Sequence, residues 1–76
     1  MAQGHEQAVG LDEASRQLQQ AAHDAQVAFD CIALGDVDRA HTHAITARAA
    51  ADAAETLLRA VLGEKASPGG VIEPPD

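Results

Sequence analysis

One interruption constrains this chain more than any other feature. Between about residue 11 and residue 62 the sequence is continuous helix-forming material, and only Gly35-Asp36 breaks it. Gly35 can adopt the left-handed conformation that closes a helix C-terminus. Asp36 can then accept hydrogen bonds from the free N–H groups that open the next helix. So short a connection folds the second helix back antiparallel to the first. The expected fold is therefore all-α, an antiparallel two-helix hairpin with helices over about 11–34 and 36–62.

The apolar pattern supports two amphipathic helices. In the first, Leu11, Ala14, Leu18, Ala21, Ala22, Ala25, Ala28, Phe29 and Ile32 recur at steps of three and four, which places them on one side. Arg16, Gln19, Gln20, His23 and Asp30 fall opposite. In the second, Val37, Ala40, Ala44, Ala47, Ala51, Ala54, Leu58 and Val61 form a heptad-like seam with alanine through its middle. Ala50 and Leu57 widen this arc, while Ile45 and Val27 lie off the main stripes. Alanine is the best helix former and lets backbones approach closely. Each alanine removes little area from water, however, at about 25 cal/mol per Å². Ordering a residue costs roughly 1.5 kcal/mol. A lone hairpin of this kind is marginal, so hairpins are expected to pair, most simply into a two-fold four-helix bundle. The residues expected at that assembly interface are Leu11, Leu18, Phe29, Ile32, Val37, Ala44, Ile45, Ala51, Leu57, Leu58 and Val61.

The ends read differently. Residues 1–10, with Gly4 and Gly10, are expected to form a loose arm, the alternative being a helix that begins early and runs through Gly10. Residues 63–76 carry Pro68, Gly69, Gly70, Pro74 and Pro75, which prevent regular helix, and are expected to form a flexible tail. Within it Val71 and Ile72 make the segment a candidate linear contact.

At 76 residues the chain supports one small domain. Its formal charge of -7 argues against binding DNA or RNA, which needs a basic stripe to displace counterions, and against an anionic membrane surface. A basic protein partner is compatible with this charge. Cys31 is the single cysteine, so no internal disulfide forms, and a reducing compartment is favoured. No leader-like basic start followed by an apolar run is visible, and no apolar stretch approaches the ~20 residues of a membrane span. The expected location is the cytoplasm. Four arginines against the lone Lys65, with abundant alanine, resemble the usage of a GC-rich bacterial genome.

Sites for chemistry are scarce. Four histidines, His5, His23, His41 and His43, invite a metal reading. Zinc needs three or four ligands converging on one point. On a helix His41 and His43 are rotated ~200° apart and cannot share an ion. A site between subunits using His23, His41, His43 or Cys31 is the remaining metal-binding expectation. His41 and His43 also flank the apolar arc, where either can tune an interface with pH. Asp12, Glu13 and Asp36 suit helix starts. Asp52 and Glu55 can pair with Arg48 and Arg59 at spacings of four. Two helices make a ridge without a cleft, and Ser15, Thr42, Thr46 and Thr56 have no base arranged beside them. There is no Gly-x-Ser-x-Gly elbow and no phosphate-cradling glycine loop. Nor is there the Asp-Ser-Leu attachment motif that an acyl carrier protein of this size and acidity requires. No catalytic residue and no cofactor are expected.

The stretch Leu34-Gly35-Asp36-Val37-Asp38-Arg39-Ala40 resembles the turn of a tetratricopeptide repeat. Gly35, Val37, Ala40 and Ala47 fit that family's pattern, as do Val27 and Ala28 upstream, over about residues 22–55. Cys31, Ala44 and Asp52 depart from it, standing where two bulky residues and a proline are usual. One copy is present, whereas stacked repeats need about three to bury a core. The resemblance implies a helical hairpin that serves as a protein- or peptide-binding scaffold without catalysis. Together these readings favour a small, non-enzymatic, self-associating helical interaction module. The alternatives are an acidic regulator, antitoxin-like, that neutralises a basic partner, or a bundle holding a metal or ligand between subunits.

Overall fold

A computed structural model describes the backbone of residues 2–66 and the side chains of residues 8–63. Two helices make it up, α1 (Ala2–Ala33) and α2 (Val37–Ala66), packed against each other along their length, with no strand among the described residues. The turn forms as the Gly-Asp pair dictates. Gly35 takes a φ of 76°. Its N–H donates to the carbonyl of Ile32 at 3.0 Å, and the N–H of Asp36 donates to that of Cys31 at 2.8 Å. Those two bonds satisfy the last carbonyls of α1 in a Schellman motif. Asp36 at once opens α2, its Oδ1 accepting from the N–H of Arg39 at 3.2 Å while its carbonyl accepts from Ala40 at 3.0 Å. One residue thus closes one helix and caps the next.

Both helices outrun the sequence reading. α1 starts at Ala2, so the segment expected as a loose arm is helical and α1 passes through Gly4 and Gly10. α2 continues through Gly63 to Ala66. A helical glycine costs only about 1 kcal/mol, and one glycine does not stop a helix that has good formers on both sides. Gly10 also has a tertiary role: a Cβ built there would lie 3.0 Å from Cγ2 of Val61. Its lack of a side chain admits the far end of α2. The Pro/Gly tail with Val71 and Ile72 lies outside the described residues.

The seam between the helices has a strict three-four spacing on both sides. From α1 it takes Gly10, Ala14, Gln17, Ala21, Asp24, Ala28 and Cys31; from α2, Ala40, His43, Ala47, Ala50, Ala54, Leu57 and Val61. Ala14, Ala28, Cys31, Ala40, Ala50, Ala54 and Val61 are buried, and Ala54 is fully so at 0 % exposure. This corrects the expected stripe. Of its residues Leu11, Leu18, Ala22, Ala25, Phe29, Ile32, Val37, Ala44 and Ala51 are exposed, as is Ile45, expected off the stripe. Asp24, Gln17 and His43, which sequence placed on no apolar face, line the seam. A two-helix contact covers only a narrow strip, whereas the apolar arc of each helix is broad enough for two. The strip that closes is the one where small residues meet on both sides, because larger ones would hold the axes apart.

Candidate functional site: an uncovered apolar face

Leu18, Ala25 and Ile32 each stand four residues after a seam alanine of α1, and Leu11 stands two turns before Leu18 in the same row. Ala44, Ala51 and Leu58 stand in the same relation to the seam alanines of α2, with Val37 beginning the row. In an antiparallel pair these two rows flank the seam on the same side, since reversing a helix also reverses its sense of rotation. Side by side they make one face. It pairs Leu11 with Leu58 at the open end, Leu18 with Ala51 and Ala25 with Ala44 at the centre, and Ile32 with Val37 beside the turn. Phe29 and Leu62 extend it at the rims. Phe29 is 67 % exposed, Ile32 66 % and Val37 72 %, whereas Leu58 is half-buried. Isolated exposed apolar side chains are ordinary, but a contiguous row of them signals a contact surface.

The opposite side of the hairpin is mixed, with Val27, Leu34, Ala53 and Ala60 among polar residues. Here the seam admits Asp24, buried at 5 % exposure, inside a run of alanines. A buried carboxylate needs compensation. Gln20 Nε2 donates to its Oδ2 at 3.0 Å, and the half-buried His43 places Nδ1 3.6 Å from its Oδ1. The pair is ionic only when His43 is protonated. Glu13 is held below the usual carboxylate range by the guanidinium of Arg16 and by a hydrogen bond from Gln17, and Arg16 is raised in return. Glu55 raises Arg59 in the same way and takes it as an ion-pair partner at the expected spacing of four. The matching Asp52–Arg48 pair does not form. Arg48 has no ion-pair partner among the described residues.

The other sequence candidates fall apart in space. His23 and His41 are exposed on different helices, His43 faces Asp24, and Cys31 is buried next to the turn. Among the described residues no three His, Cys, Asp or Glu side chains gather as a metal site would require. The shallow depression lined by Glu13, Arg16, Gln17, Gln19 and Gln20 lies along α1 alone. No described helix is long and apolar enough to cross a membrane. The chain matches no protein-family model, no curated protein and no solved structure.

Proposed function

We propose that this chain is a small non-enzymatic helical interaction module that self-associates through the Leu11–Ile32/Val37–Leu58 face. The observation that carries the reading is the division of apolar side chains. The seam is mostly alanine and closes within the chain; Leu11, Leu18, Ile32, Val37, Phe29 and the half-buried Leu58 are left on one side of it, while Leu34 and Ile45 are exposed elsewhere. A face about 33 Å long (22 residues at about 1.5 Å) and about 20 Å wide offers roughly 660 Å² per copy, near the ~800 Å² per partner of a stable interface. A second copy suits it because the two central rows carry no charge at all, so a chain of net charge -7 can bring two copies together there without opposing its carboxylates. Face-to-face packing of two hairpins gives a four-helix bundle. The hairpin's likeness to a tetratricopeptide turn supports the same scaffold role. A single buried Cys31 suits a cytoplasmic setting.

Absolute mass by light scattering behind a sizing column tests the reading. A dimer or larger assembly at micromolar concentration is expected; a monomer at every concentration would refute it. The charge supports a second reading, an acidic regulator of a basic partner. Asp12, Asp30, Asp38 and Asp52 take no cationic partner among the described residues and lie away from the apolar rows. A copurifying basic protein released by salt would favour that reading.

A further inference from the structure

The proposed dimer admits two two-fold arrangements, and its charged rim distinguishes them. Either the two turns lie at the same end, with α1 of one copy on α2 of the other, or they lie at opposite ends, with α1 on α1 and α2 on α2. The outer rim of the face on α2 carries Arg48 and Glu55, four residues after Ala44 and Ala51, with His41 and Leu62 at its two ends. The outer rim on α1 is neutral: Ser15, Ala22 and Phe29. We infer that the copies pack with their turns at the same end, so that the charged rim of one α2 lies over the neutral rim of the other copy's α1.

The argument rests on Arg48. It stands at the middle of the α2 rim without an ion-pair partner among the described residues, Asp52 four residues on making no bridge to it. With turns at opposite ends and the faces fully overlapped, the two-fold axis passes beside Arg48 and opposes it to its own copy. Two like charges at a partly desolvated rim are unfavourable. With turns at the same end, levels along the hairpin match as they do within one chain, where Gly10 meets Val61. Ala22 then lies level with Arg48, Ser15 with Glu55, and Phe29 with His41. The arginine stem lies along a small alanine while its head reaches solvent. No like charges meet.

This inference depends on the self-association reading, and the test separates the two. In a Cys31→Ala background, single cysteines are placed at the exposed Ala33, near the turn, or at the exposed Asp12, some 21 residues away and ~32 Å along the helix. Donor-labelled Ala33→Cys protein is mixed by subunit exchange with acceptor-labelled Ala33→Cys or Asp12→Cys protein, after circular dichroism has confirmed helicity. Same-end packing predicts stronger energy transfer for the 33–33 pair than for 33–12. The reverse order would overturn the inference and leave the dimer standing. Transfer in neither pair would overturn the dimer itself. Arg48→Ala gives an independent readout. Same-end packing loses stem contacts, so assembly weakens about threefold. Tighter assembly of that variant would reveal relief of an Arg48–Arg48 contact and overturn the same-end arrangement.

Discussion

The two sides of the hairpin's apolar arc make a controlled contrast. They share the same helices and the same period, yet one strip is alanine and closed, the other contains leucine, isoleucine, valine and phenylalanine and is open. Helix packing inside one chain selected closeness over area, because small side chains, alanine above all, at most positions of the seam let two backbones approach and gain dispersion contacts. The area-rich strip lies one row to the side, where a partner of any spacing can meet it. On the proposed reading the two strips do different work: the alanine-rich seam specifies the hairpin, and the large side chains are left to specify what the hairpin meets.

The severest way to break this contrast is to put bulk into the closed strip. Ala54→Leu at the fully buried position is expected to lose about 3 kcal/mol through overpacking, since a helix seam of alanines has no room to absorb three more carbons. Urea titration followed by circular dichroism reads this; a loss under about 0.5 kcal/mol would mean the helices are not in close contact there. Removing bulk from the open strip is the converse. Phe29→Ser with Ile32→Ser is expected to weaken assembly by at least ~100-fold, four apolar side chains being lost from a two-fold interface at about 1.5–3 kcal/mol for each one fully buried. Helicity at high concentration is expected to survive. Sedimentation equilibrium measures the change, and an unaltered dimer would remove these two residues from the contact.

A smaller effect sharpens the distinction within the seam. Asp24→Ala extends the alanine run and removes a buried carboxylate, and is expected to be neutral or to stabilise by about 1 kcal/mol, helix propensity contributing part of that. His43→Ala strips the same carboxylate of its imidazole neighbour and is expected to destabilise by about 1 kcal/mol. If both substitutions move thermal stability in the same direction by the same amount, the 3.6 Å pair contributes nothing. The smallest effect is on the mixed side. Arg16 and Gln17 depress the carboxyl of Glu13, so its contribution is present above the unfolded-state value and is lost as pH falls through the lower folded-state value. Glu13→Gln is expected to trim a slight acid-side loss of stability, read as a shallower slope of melting temperature below about pH 4.5, which is the ordinary value for this group. Because both partners of the Arg16 pair are on the surface, salt should erase the difference.

The fold was largely legible, and the register was not. Gly35 and Asp36 announced the turn with their chemistry, and the structure uses both as that chemistry requires. The choice of seam escaped sequence reading because apolar periodicity counts a leucine above an alanine, while a two-helix contact prefers the alanine. Once alanines at steps of three and four are laid against each other on both helices, Asp24 and His43 fall into the same strip, and that coincidence was the available signal. Gly10 misled for a related reason. Read alone it marks a loose arm; read as opposite Val61 it marks a close approach. Such a pairing needs the antiparallel register, which no single helix contains. Of the eleven residues expected at an interface, Leu57 and Val61 went to the seam, Ile45 lies on neither strip, and the remaining eight lie on the uncovered face.

The central claim is that the closed strip is covered by the chain itself and the open strip only by assembly. Solvent paramagnetic relaxation of methyl groups across a dilution series tests it most directly. The account predicts that the methyls of Ala14, Ala28 and Ala54 stay shielded at every concentration, whereas those of Leu11, Leu18, Ile32 and Val37 are shielded when concentrated and become accessible on dilution. Equal accessibility of the four large side chains at all concentrations would contradict it.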